Sequence, residues 1–346
     1  MKRALLLAFV LAASTAQANV WERAIDADQP ERLADDKFES EMRQGDEHAL
    51  LASSRNIGKK EVFSHLQNAI AAYRNAAAAK PRDGEPYFRI GKLLYAFYFD
   101  CTDQWARTIA FQTCTDQQRD PKSFNVAKAK EIIAAWDAFE ARAPLDPRLS
   151  VEVSGDTEIL FDRAILHTKL ATKADLEAAA LDYEKLLSRH DGLEGGTGRV
   201  LGNLAETYMM LGRMEESLET YREALRAYPD TSTLYGYAVA LDRDESTRAA
   251  LDIIKSSGLD QRRAFYEGVQ TGGTFFVPEG EVFYYLALVD EAFGYEEDAI
   301  GKWQAYIASG AHPEFQPRAK AHLDTLNAHK RRRAIPIESP WPDLFR

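Results

Sequence analysis

The stretch Leu201-Gly202-Asn203-Leu204-Ala205-Glu206-Thr207-Tyr208, continuing to Gly212, Ser217, Tyr221, Ala224, Leu225 and Pro229, decides the fold. Leu201, Leu204 and Tyr208 recur at helical spacing and form one apolar stripe. Ala205 lies on that stripe and is small, so another helix has room to approach. Gly212 allows a sharp turn. After it, Ser217, Tyr221 and Ala224 line one stripe of a second helix. Pro229 cannot continue that helix and closes the unit. The pattern predicts two antiparallel helices packed as a hairpin.

Working outward, the same signature returns. Ala69, Tyr73, Ala76 and Pro81 read as a second helix and its stop, and Tyr87, Ile90, Gly91 and Leu94 as the next first helix, in 34-residue phase. The second helix of that unit is delayed and resumes from Asn125 to Ala143, with Trp136 and Phe139 inward. Another pair runs from Leu160, Arg163 and Ala164 to Ala179, Tyr183 and Leu186. Leu234, Tyr237, Ala238 and Leu241 open a further unit whose second helix holds Ala250 and Ile254. Phe283, Leu286, Ala287, Gly294, Ala299, Trp303 and Tyr306 make a late one. This pattern resembles the tetratricopeptide repeat, 34 residues with a small residue in each helix and a closing proline. Departures are Leu201, where the family often has tryptophan, and Arg163 and Asp290, where it has apolar or large residues.

The resemblance covers residues 60–310 and implies an all-α fold, a right-handed α-solenoid of antiparallel helix pairs. One hairpin cannot bury its apolar face alone, whereas stacked hairpins share a continuous core. Residues 19–59 read as an irregular helical segment before the array, and 99–124 as an insertion in it. Asp260 to Gly280, with Gly272, Gly273 and Pro278, breaks the phase and reads as a loop or bend. Gln316 to Asn327 reads as a closing helix with Pro317 in its first turn. Beyond it, 311–346 ends in a basic run, Lys330 to Arg333, and a segment with Pro336, Pro340, Trp341, Pro342, Leu344 and Phe345. Four readings of that tail stand: docking on a partner, a weak touch on anionic lipid headgroups, folding back on the last hairpin, or a loose terminus.

The first residues read as an address. Lys2 and Arg3 precede the apolar run Ala4 to Ala13, and Ala16-Gln17-Ala18 closes the pattern of a secretory signal cleaved after Ala18. The expected location is therefore periplasmic or secreted. No segment supplies the roughly 18 unbroken apolar residues of a spanning helix. In an oxidising compartment Cys101 and Cys114 read as a structural disulfide, worth about 2–3 kcal/mol through restriction of the unfolded chain.

The composition excludes several classes. With 346 residues, 45% of them hydrophobic, the chain can bury a core, so a wholly disordered or fibrous chain is ruled out. Its formal charge of −11 would repel phosphates and argues against nucleic acid. No metal, cofactor or catalytic centre is legible. Gly195, Gly196, Gly198 and Gly202 lack phosphate-loop spacing, the seven histidines include no H-E-x-x-H pair, and no G-x-S-x-G elbow occurs. Asp242, Asp244 and Glu245 read as a solvated turn. An enzyme would have to be built in the insertion, on residues such as Asp103 and Asp116.

Binding finds more support. The resemblance implies that first helices line a groove and that the residue after each opening large residue points into it. Those positions are Phe88, Phe161, Tyr235 and Tyr284, with Gly202 in the best unit. One turn on lie Lys92, Ile165, Glu206, Val239 and Leu288. Such a groove favours an apolar or aromatic-containing peptide or protein segment; alternatively the rings pack on the neighbouring helix. The function implied is a non-catalytic scaffold in the periplasm, with a ligand-capturing accessory subunit of an envelope transporter or secretion machine as the other reading.

Overall fold

The computed structural model describes residues 29, 31–54, 57–99, 124–142, 153–188, 196–271 and 276–334. The signal region, Cys101 and Cys114, most of the insertion and the tail beyond residue 334 lie outside them. The described residues are all-α and strand-free. They fall into two compact units, one holding the first four helices and the other the rest. No described helix is long and apolar enough to cross a membrane.

In the first unit, α1 (31–52) and α2 (Lys59–Ala79) pack antiparallel, with the Tyr73 hydroxyl donating to Asp46 at 2.7 Å. Within the segment expected to be irregular, residues 31–52 form one regular helix, anchored by buried Phe38 and Met42. A second hairpin pairs α3 (Glu85–Tyr98) with α4 (Val126–Glu140). Asn125 caps α4 by accepting from the Lys128 N–H, and Trp136 and Phe139 are buried as their spacing predicts.

The second unit opens with α5 (Val153–Leu170) and α6 (Lys173–Ser188), then α7 (Thr197–Met210) and α8 (Met214–Ala227). Gly212 takes φ +75°, a left-handed turn that favours glycine, and redirects the chain from α7 into α8. The Ser217 hydroxyl, wholly buried, donates to the Ala205 carbonyl across the hairpin at 2.8 Å. Asp230 caps α9 (Thr231–Arg243), which pairs with α10 (Thr247–Ser257). Gly236 on α9 meets α8 directly: a Cβ there would stand 2.5 Å from the Tyr221 hydroxyl. The last hairpin is α12 (Val282–Phe293) with α13 (Glu296–Ser309), covered by α14 (Gln316–Ala334).

Two expectations change. The closing helix continues through the basic run to Ala334, and Lys330 pairs with Glu297 of α13 at 2.8 Å. Residues 259–271, expected to be a loop or bend, form a helix, α11 (Leu259–Thr271). Arg262, Phe265, Tyr266 and Val269 recur at helical spacing, and Phe265 is buried, so packing overrides the glycines that follow. In the chain α11 stands between two hairpins. In space α12 packs directly on α9 and α10, and α11 lies against α9 and α12.

Candidate functional site

The first helices α5, α7, α9 and α12 supply the residues that the repeat pattern assigns to a partner. At α5, Phe161 is half-buried; its ring meets Tyr183 at 6.2 Å and carries the Arg199 guanidinium of α7 at 4.7 Å. Ile165, one turn on, is half-buried as well. Glu206 of α7 is half-buried and accepts from the hydroxyls of Tyr221 at 2.5 Å and Tyr285 at 2.7 Å. These side chains remain partly open on one face. In the first unit, Phe88 and Lys92 of α3 are also half-buried, and Phe88 meets Phe139 at 5.4 Å.

The other four predicted residues are closed off within the chain. Tyr235 and Tyr284 are 0% exposed, and Val239 and Leu288 are buried equally deeply. Their assignment to an open groove is therefore corrected. Two helices close over Tyr235: the Phe265 ring of α11 packs edge-on against it at 4.9 Å, and Ser257 at the end of α10 pairs with its hydroxyl at 3.0 Å. Tyr284 turns instead into its own hairpin, edge-on to Trp303 at 4.8 Å and Tyr306 at 4.9 Å. Sequence reading passed over Tyr285, which reaches both Phe265 and Glu206. A second tyrosine next to Tyr284 was the available signal.

Two departures from the repeat pattern, Arg163 and Asp290, carry buried ion pairs. Arg163 makes a two-pronged pair with Asp182 across the α5–α6 hairpin, Nε at 2.7 Å and Nη2 at 2.6 Å, both residues buried. Asp290, wholly buried, receives Arg262 at 2.6 Å and the Tyr266 hydroxyl at 2.7 Å from α11, together with Lys302 from α13. Burial, together with the hydrogen bond to Asp290, pushes the Tyr266 hydroxyl pKa upward.

Asp242 is likewise no solvated turn residue. It is buried and accepts from Tyr284 and Thr247, both at 2.6 Å, from Arg318 at 3.1 Å and from His322 Nε2 at 3.0 Å. Burial opposes its charge, but His322, Thr247 and Tyr284 hold the carboxyl well below its ordinary range. His322 Nδ1 faces Glu291 at 2.8 Å, so both ring nitrogens meet carboxylates. Burial works against the imidazolium, yet these two partners carry its pKa up to about 9. Beside this network, buried Arg243 pairs with buried Glu281 and lies over the rings of Tyr284 and Phe315.

This arrangement is built to hold helices together and to present surface. Among the described residues no His, Cys, Asp and Glu cluster could hold a metal ion. The buried acids Asp182, Asp242, Asp290 and Glu281 are engaged by cations of neighbouring helices.

A tetratricopeptide-repeat family model matches residues 198–231, the α7–α8 hairpin with its closing proline. No curated protein matches the sequence. Among solved structures, the tetratricopeptide-repeat domain of P58(IPK) aligns with 84% of this chain and 99% of its own at 13% identity, with a TM-score of 0.26. At that score the two chains do not superpose as wholes. The matched residues 198–231 are thus a tetratricopeptide repeat, and further helix hairpins flank it.

Proposed function

We propose that this protein is a non-catalytic interaction scaffold of the bacterial periplasm that holds a peptide or protein segment against its first helices. The observation that carries the reading is the half-open face of α5 and α7, where Phe161, Ile165, Arg199 and Glu206 combine a ring, an aliphatic surface and both charges. An aromatic ring under a guanidinium, at the edge of a buried core, accepts another apolar side chain by desolvation and stacking. The charged rim then sets orientation more than affinity. Export rests on the N-terminal pattern ending at Ala18.

Crosslinking in living cells tests this. A photoreactive residue in place of Ile165 or Arg199 is expected to capture a defined protein, whereas one in place of the exposed Glu223 on α8 is not. Identical adducts from all three positions, or none from any, would defeat the proposal.

A further inference from the structure

Helix α11 stands outside the hairpin plan. It is inserted in the chain between α10 and α12, yet α12 packs on α9 and α10 as the next repeat should, and α11 lies on the face of α9 and α12. Of its described residues only Phe265 is fully buried, at 3% exposure, whereas α12 beneath it buries eight of twelve. Around that one fully buried side chain the other contacts are partial: Tyr266 and Val269 pack half-buried on the same core, Arg262 lies over the Tyr295 ring, and Gln261 pairs with Thr231. The Phe265 ring enters between Tyr235, edge-on at 4.9 Å, and Tyr285, stacked at 6.3 Å, with Phe276 beside it at 6.4 Å. Arg262, one turn before it, and the adjacent Tyr266 bind buried Asp290. A fully buried aromatic anchor in an aromatic slot, flanked by an arginine and a tyrosine on a buried carboxylate, is how a partner helix grips a groove. Here the gripping helix belongs to the chain itself.

We propose that α11 is an intramolecular stand-in for a partner: it occupies the face of α9 and α12, and the ligand of that face is a helical segment with an aromatic residue three places after an arginine, which competes with α11. This rests on the scaffold reading above and extends it to the second half of the array. The face is prepared for release. Asp290 keeps Lys302 when Arg262 departs, and Tyr235 keeps Ser257, so neither is stranded. Gly258, at φ +87°, joins α11 to α10 without demanding a helical continuation. Asp290 also explains itself this way, since a large apolar residue at that repeat position could not receive Arg262.

Two measurements on the full chain test the proposal. In hydrogen exchange, the amides of α11 are expected to exchange about tenfold or more faster than those of α9 and α12, because a helix held by one fully buried side chain opens on its own. Equal protection would make α11 an ordinary core helix and overturn the idea. In the second, a fluorescent peptide of residues 259–271 is titrated into the wild-type protein and into the double variant Arg262→Ala, Phe265→Ala. The variant is expected to bind about tenfold or more tighter, because its face is no longer occupied most of the time. A peptide carrying its own Phe265→Ala should not bind. Equal binding by both proteins, or none by a variant with native helicity, would overturn the proposal; if the variant does not fold, the exchange result decides. Because the probe is the chain's own segment, the outcome is separate from the crosslinking test. Adducts there without peptide binding here defeat only the stand-in, and peptide binding here without adducts there defeats only the scaffold.

Discussion

Asp242 and His322 show how a single buried charge organises the last repeats. His322 lies between Asp242 and Glu291 and stacks on Trp303 at 4.6 Å, so protonation lets it donate to both acids. Its pKa is raised from 6.5 to about 9, so the stability it brings is complete below pH 6.5 and lost as the pH climbs to about 9. Burial, opposed by Arg243, likewise pushes the Glu281 carboxyl up from 4.5 to about 8, and its share also fades as the pH rises. Asp242 is depressed and acts at the other end, losing its share only on acidification. Urea unfolding should therefore show stability declining from pH 6.5 to 9, with His322 supplying on the order of 3 kcal/mol. The variant His322→Gln should remove His322's share of that decline and leave that of Glu281; an equally steep decline in the variant would contradict the assignment.

The same scale separates rings that pack from rings that face outward. Tyr235→Ala removes a wholly buried side chain and should cost about 3–5 kcal/mol, seen in thermal or urea unfolding. Phe161→Ala empties a half-open position and should cost clearly less while weakening partner capture at α5. Comparable losses of stability in the two would place Phe161 in the core.

At the scale of elements, α14 has the composition of a cap. It turns Ala319, His322 and Leu326 inward, while Lys320, Ala321, Asp324 and Thr325 face water. Repeat arrays need such a polar outer face because their last hairpin otherwise exposes the surface on which the next would stack. Ending the chain after Phe315 should uncover Trp303 and take both Arg318 and His322 from Asp242. A lowered melting midpoint and increased light scattering are expected; an unchanged melting curve would show that α14 does not cap the array. The helices of the hairpins were readable because close approach demands small residues at fixed offsets, as at Ala205, Ser217 and Ala224. Helix α11 was hidden because its pattern has one strong anchor and is followed by Gly272 and Gly273, so local punctuation outweighed a contact made far along the chain.

For the whole molecule, the N-terminal pattern makes a prediction of its own. Protein recovered from the periplasmic fraction should begin at Asn19 when its N-terminus is sequenced, and recovery of an intact Met1 in the cytoplasmic fraction alone would remove the export reading. Fold class could be read along the chain, since each hairpin buries most of its stripe against neighbours close in sequence, and periodicity records that burial. Which rings stay open could not be read that way. Tyr235 is closed by Phe265, and Asp242 gains Arg318 and His322 from α14, across separations that no repeat period encodes. Spacing specifies which side of a helix is apolar, but exposure depends on whatever else comes to rest there, and in this protein that includes a helix the chain lays across α9 and α12.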